Sequence, residues 1–274
     1  MPVNNDSDHL FSGSIPEIYD RLLVPLIFET YARDLADRVK AFAAQSVLEV
    51  AAGTGVVTRA MSSALSPSVS ITATDLNAPM VDYAKTKGTE RPVDWRVADA
   101  MKLPFDDATF DTVVCQFGVM FFPDRVGAYR DVRRVLKPGG TFLFNVWDHI
   151  DHNEFAAEVT SALAGLFSDD PPVFMARTPH GYFDGEAIQR ELGDALFDSP
   201  VRIEALEARS RATSAHVPSV AYCHGTPLRN EIEARAPGRL DEVTTHVTAA
   251  LSQRFGEREV DGRIRAFVVT ADKT

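Results

Sequence analysis

Val47-Leu48-Glu49-Val50-Ala51-Ala52-Gly53-Thr54-Gly55 joins an apolar run to a glycine turn, and a carboxylate follows in Thr74-Asp75-Leu76. Glycines lack a Cβ, so such a turn lets backbone approach a ligand closely. A carboxylate at the end of the next strand can accept hydrogen bonds from ribose hydroxyls. Together these residues have the chemistry to hold an adenosine-containing cofactor. The glycine turn alone is a weak sign, because a plain strand-to-helix connection uses the same residues. Asp75 narrows the reading. A dinucleotide fingerprint would place a third glycine for close helix–strand packing, and Thr58 stands at that position.

These residues need alternating strands and helices to carry them. Apolar spacing predicts helices over 15–42, interrupted at Pro25, which suits the first turn of a second helix. Strands are expected at Ser46–Val50, Val69–Thr74, Val93–Val97, Phe110–Gln116 and Thr141–Trp147. Helices are expected at Gly55–Leu65, Ala78–Lys87 and Val126–Leu136, with a turn at Lys137-Pro138-Gly139-Gly140. Further on, Asn153–Phe167 and Gly185–Phe197 read as helices, and Val201–Ala208 and Arg263–Thr270 as strands. The expected fold is α/β, a doubly wound, mostly parallel sheet of seven strands with N-terminal helices over 15–43. Its ligand belongs at the carboxyl ends of the strands. Residues 209–262 read as a helical insertion between the last two strands, and a connection of that length is usually functional or separately folded. Residues 1–14 are polar and predict a mobile tail ahead of one domain over 15–274.

Composition narrows the partners. The net charge is −11, whereas a nucleic-acid binder normally presents a basic face. Arg130, Arg133, Arg134 and Lys137 cluster, and read as a solvated helix face. Cys115 and Cys223 are too few and too far apart for a disulfide framework or a closely spaced zinc site, so no metal is expected. The start of the chain lacks the basic and apolar regions of a secretion signal, and no run of 18 apolar residues is present. The expected compartment is a reducing cytoplasm, with no membrane span.

Five motifs in order over residues 47–146 resemble class I S-adenosylmethionine-dependent methyltransferases. Val47–Gly55 is similar to the family's first motif and Asp75 to its ribose-binding acid. Val97-Ala98-Asp99-Ala100, with Leu103-Pro104-Phe105, resembles the adenine motif. Phe110–Val114 with Gln116-Phe117-Gly118 resembles the fourth strand and the turn beneath the methionine moiety, and Val135–Gly140 the turn before strand five. Where the family usually has its first glycine, this chain has Ala51, which tolerates fewer backbone conformations.

The resemblance implies a Rossmann-like sheet, S-adenosyl-L-methionine as cofactor, and a role for each matched residue. Ala51, Gly53, Thr54 and Gly55 form the turn, with Gly53 leaving room for the amino-acid end of the cofactor. Asp75 accepts from the ribose, and Leu76 and Met80 flank the adenine. Asp99 accepts from the adenine amino group, the Ala100 amide donates to a ring nitrogen, and Met101 adjoins them. Glu49 and the carbonyl of Gln116 hold the ammonium, with Phe117 in the turn below. Tyr19 lies on an N-terminal helix expected to close over the cofactor.

Methyl transfer from a sulfonium is an in-line displacement in which positioning and desolvation supply much of the catalysis. A base is needed only where the nucleophile must lose a proton. His149, His152, His180, His216 and His224 are candidates, and the sequence assigns none of them. Gln116-Phe117-Gly118-Val119 stands where nucleic-acid amino-methyltransferases carry Asn or Asp before Pro-Pro and an aromatic residue. A small-molecule acceptor is therefore expected and no nucleic acid, in the branch resembling quinone-biosynthesis C-methyltransferases. Phe155, Phe167, Phe174, Tyr182, Phe183 and Tyr222 could line an apolar cleft. Two other readings stay open: a non-catalytic cofactor-binding or scaffold protein, and a nicotinamide-dependent oxidoreductase. Oligomeric state is not legible.

Overall fold

The computed structural model describes residues 15–274, so the expected tail over 1–14 lies outside the described residues. The chain opens with α1 (Ile15–Ile18), a wide-turned π-helical stretch (Tyr19–Phe28) and α2 (Glu29–Ala41). Strands and helices then alternate: β1 (Ser46–Glu49), α3 (Val56–Ala64), β2 (Ser70–Asp75), α4 (Ala78–Lys87), β3 (Asp94–Val97) and β4 (Phe110–Gln116). Next come α5 (Arg125–Val135), β5 (Leu136–Trp147), α6 (Glu154–Leu166), α7 (Phe174–Arg177) and α8 (Gly185–Asp194). The chain closes with β6 (Arg202–Ser214), α9 (His216–Gly225), α10 (Leu228–Arg235), α11 (Leu240–Phe255) and β7 (Arg258–Asp272).

The strands form one seven-stranded sheet in the order β3-β2-β1-β4-β5-β7-β6. From β3 to β5 every pairing is parallel. Val47 and Leu48 on β1 are fully buried, as expected of a central strand covered by helices on both faces. β7 runs antiparallel to β5. Lys273 N–H donates to Gly140 O and Asp148 N–H donates to Arg265 O, so one numbering falls as the other rises. Strand order reverses direction at β1 and β4, which is where such sheets bind ligands.

The described residues divide into two compact units. The first holds residues up to Phe28, Trp147–Gly181 and Leu206–Ala266. Its core includes Phe155 edge-on to Phe255 at 4.9 Å. A Cβ at Gly262 would lie 2.9 Å from the Phe155 ring, so β7 approaches α6 there without a side chain between them. The second unit holds Glu29–Val146, Tyr182–Ala205 and Phe267–Thr274. Its core includes Tyr129, Phe142 and Phe144, all fully buried and in mutual ring contact.

Three local expectations change. Pro25 does not start a new helix but sits inside the π-helical stretch. Proline has no N–H for an α-helical ladder, and a wider turn absorbs the loss. Lys137–Gly140 is not a free turn but the first part of β5, where the β4–β5 register jumps from Phe110↔Leu136 to Thr112↔Thr141. The end of the chain ties it down, with Gly139 N–H donating to Lys273 O at 2.7 Å. Finally, β6 and β7 are longer than their apolar pattern suggests, so the helices of segment 209–262 occupy only His216–Phe255.

Candidate functional site

In the second unit, the predicted cofactor residues follow the carboxyl ends of the strands in sheet order. Asp99 follows β3, Asp75 ends β2, Glu49 ends β1 with the glycine turn after it, and Gln116 ends β4.

The turn is held by Asp75. Its Oδ2 accepts from Gly53 N–H at 2.8 Å, and its Oδ1 accepts from Asn77 N–H at 2.8 Å and from the Asn77 side-chain amide at 3.3 Å. The carboxylate is 7% exposed, and burial raises its pKa against the pull of those bonds. A carboxylate has about four lone-pair sites, so with these three bonds made it keeps capacity for a ribose hydroxyl while it pins the turn.

The turn's two glycines differ. A Cβ on Gly53 (φ +55) would meet nothing within 4 Å, whereas on Gly55 (φ +82) it would lie 2.7 Å from the Trp95 ring. Gly53 thus borders open space, and Gly55 lets α3 pack against β3 and α4. Ala51 takes a left-handed φ of 54 despite its side chain. A Cβ on Gly118 would come within 2.6 Å of the Ala51 Cβ, so the methyl at 51 fits because residue 118 has none.

Glu49 is 1% exposed, and burial pushes its pKa up to about 8 although a Thr58 bond and Arg59 pull it down. Thr58 Oγ1 donates to Glu49 Oε2. The residue that breaks the dinucleotide fingerprint is therefore the partner of the buried acid. Leu76 is 57% exposed and Val97 53%, and Val97 is the register partner of Asp75. Two exposed apolar side chains at adjacent strand ends suit the face of a planar base. Met80 is buried on α4 instead. Asp99 Oδ1 accepts from Met101 N–H at 2.9 Å, closing a tight turn around Ala100.

Phe117 takes a left-handed φ of 49, and its N–H donates to Asn145 Oδ1 at 2.9 Å. Neither Asn77, which the sequence marks only as the entry to a helix, nor Asn145 is among the site residues expected from the sequence. Asn145 is a polar residue within the apolar run Phe142–Trp147, which was its one visible signal.

The donor set fits an adenosine carrying an amino-acid tail. The space beside Gly53 is open, and two buried polar atoms, Thr54 Oγ1 and Gln116 Oε1, have no hydrogen-bond partner among the described residues. Asp75 and Glu49 supply acceptors for hydroxyls and for a cation.

Tyr19 lies in the first unit, where its ring stacks on Phe28 at 5.0 Å. His149, His152, His180, His216 and His224 belong to that unit too. The aromatic candidates divide: Phe155, Phe167, Phe174 and Tyr222 are in the first unit, and Tyr182 and Phe183 in the second. Tyr182 is committed to structure, its hydroxyl donating to Glu191 at 2.8 Å beneath the Arg125 guanidinium. No group of three or more candidate ligands among the described residues could hold a metal ion, and none of their helices is long and apolar enough to cross a membrane.

Residues 48–144 match the model of a methyltransferase domain. A demethylmenaquinone methyltransferase of Staphylococcus aureus is 34% identical over 146 residues, covering 50% of this chain and 59% of that protein. The chain thus spans little more than half the length of this relative. Phospholethanolamine N-methyltransferase 2 of Haemonchus contortus, solved with S-adenosylhomocysteine and phosphomonomethylethanolamine, superposes with a TM-score of 0.58 at 16% identity. That superposition covers 100% of this chain and 61% of the other. The YcgJ protein of Bacillus subtilis gives 0.55 at 19% identity, covering 89% of this chain and 98% of its own. At such identities the two solved structures show a shared fold. Residues 48–144 are thus similar to a methyltransferase domain, and the motif order and strand-end geometry fall within that matched region.

Proposed function

We propose that the chain transfers a methyl group from S-adenosylmethionine to a small-molecule acceptor. The observation that carries this reading is the row Asp99, Asp75, Gly53, Glu49 and Gln116 along consecutive strand ends. Asp99 and the Ala100 amide would meet the adenine, Asp75 the ribose, and Glu49 with Gln116 the ammonium. Leu76 and Val97 would cover a face of the base. When bound, the cofactor supplies an electrophilic methyl on a good leaving group, so the protein's part is to orient the acceptor and exclude water. Tyr19 would shield the cofactor.

Helices α9–α11 would select the acceptor. They interrupt β6 and β7, which a short hairpin could otherwise join. Tyr222 and His224 on α9 add polar atoms to an apolar segment. The S. aureus relative's name makes a hydroxylated aromatic ring or quinol the first acceptor class to try. The site would be cytoplasmic, and nucleic acid is not an expected partner at a net charge of −11.

The test is release of S-adenosylhomocysteine from S-adenosylmethionine with a panel of quinols, phenols and amines. Turnover with a member of the panel, lost in Asp75→Ala, is expected. Tight cofactor binding with no acceptor-dependent release across the panel would favour a binding protein instead.

A further inference from the structure

Asn145 occupies a position where stability alone would favour an apolar residue. It lies on β5, fully buried within the apolar run Phe142–Trp147. Its Oδ1 accepts from Phe117 N–H at 2.9 Å, and its main-chain carbonyl accepts from the same N–H at 3.2 Å. An N–H only donates, so the amide atom facing it is the oxygen and Nδ2 turns away. Nδ2 is buried with no hydrogen-bond partner among the described residues, which costs stability. The main-chain carbonyl already satisfies the Phe117 N–H, so the side chain is not needed for that task.

The second bond acts on a strained peptide. Phe117 holds its left-handed φ of 49, a conformation that persists in a bulky residue only where the surroundings over-determine it. In a planar trans peptide the N–H and C=O point in opposite directions. β5 and β1 flank β4 on opposite sides. With the Phe117 N–H tied to Asn145 on β5, the Gln116 carbonyl points toward the β1 side. Two residues earlier on that side, Val114 O accepts from Val50 N–H at 2.9 Å. The next donor along that edge would be Ala52 N–H. The chain turns at the left-handed Ala51, however, and Ala52 N–H donates to Thr74 O on β2 at 2.9 Å. The ladder therefore stops short of the Gln116 carbonyl, beside the glycine turn. All of these residues belong to the second unit.

We propose that Asn145 is a positioning residue, whose side chain fixes the Gln116–Phe117 peptide so that the Gln116 carbonyl accepts from the ammonium of the cofactor. It acts through that peptide and not by touching the cofactor. This rests on the methyltransferase reading given above.

The probes are S-adenosylhomocysteine and its deamino analogue, which keeps the carboxylate and lacks the ammonium, each added to the full chain. An amide nitrogen responds when the carbonyl of its own peptide accepts a hydrogen bond. S-adenosylhomocysteine should therefore shift the Phe117 nitrogen resonance saturably in the wild type, and the deamino analogue should not. Asn145→Leu removes the side-chain acceptor. It should bind S-adenosylhomocysteine about tenfold more weakly, the loss of one hydrogen bond to a charged group, and the deamino analogue as tightly as before. Asn145→Asp keeps an oxygen for the Phe117 N–H and should bind both ligands as the wild type does. A merely structural role would weaken both ligands alike in folded Asn145→Leu. That result, unchanged S-adenosylhomocysteine affinity in Asn145→Leu, or no rescue in Asn145→Asp would overturn the proposal. Equal Phe117 shifts from both probes would overturn it too, and that wild-type comparison decides the matter even where the variants do not fold. Absence of S-adenosylhomocysteine binding to the wild type, seen by calorimetry on the same sample, would instead overturn the methyltransferase reading.

Discussion

Glu49 is a carboxyl group held away from water, and its proton reports on what binds beside it. With a pKa near 8 it is mostly neutral in the free protein at pH 7. The sign of its effect on stability follows. The folded state holds this proton above the ordinary value of 4.5, so stability falls as pH rises from there to about 8. Glu49→Gln should remove that slope. A ligand ammonium beside the carboxyl favours its charged form, so binding S-adenosylmethionine at pH 7 should release about one proton from this group. Calorimetry in two buffers of different ionisation enthalpy measures the number. Wild type should show the release and Glu49→Gln should not. A buffer-independent enthalpy in the wild type would show that the ammonium does not meet Glu49.

At the scale of the elements, the glycine turn separates packing from binding. Gly55→Ala drives a Cβ toward the Trp95 ring and strains a left-handed residue, so it should destabilise the fold by about 2 kcal/mol or more. Gly53→Val faces open space and should cost mainly the backbone strain of about 1–2 kcal/mol. Its cofactor affinity should fall far more than that of Gly55→Ala in the folded fraction. Denaturant unfolding and calorimetry check the pair. Normal cofactor binding by Gly53→Val would make the turn a structural connector only.

The difference between the glycines was invisible in the sequence, because it depends on Trp95 and Ala84 arriving from β3 and α4. The elements themselves were legible. Phe110–Gln116 and Ala78–Lys87 have the expected bounds, the first because a buried parallel strand reads as an apolar run, the second because Asn77 and Pro79 mark where the helix begins. Lys137–Gly140 was not legible as strand, since Pro and two glycines read as a turn until Lys273 pairs with them. The full lengths of β6 and β7 were hidden for a similar reason. Much of β6 is exposed and charged, with Arg209 and Arg211 paired to Asp261 across the strands. Thr58 was read as a missing glycine because its tie to Glu49 is a tertiary contact.

For the whole molecule, the two compact units suggest a division of labour that hydrogen exchange can read. Saturating S-adenosylhomocysteine should slow exchange at 49–55, 75–77 and 99–101, all in the second unit. Helices α9–α11 should respond to acceptor and not to cofactor. Comparable cofactor protection over 216–255 would show that this segment also takes part in cofactor binding.

The central claim is that the strand-end row of the second unit binds S-adenosylmethionine through Asp75. Calorimetric titration of wild type and Asp75→Ala with S-adenosylmethionine, S-adenosylhomocysteine and NAD tests it most directly. Hydrogen bonds to a charged group are worth about 1.5–3 kcal/mol each. Wild type should bind both adenosyl ligands and not NAD, and the variant should bind them about ten- to hundredfold more weakly while still folded. Binding of NAD with neither adenosyl ligand bound, or unchanged affinity in folded Asp75→Ala, would contradict the account.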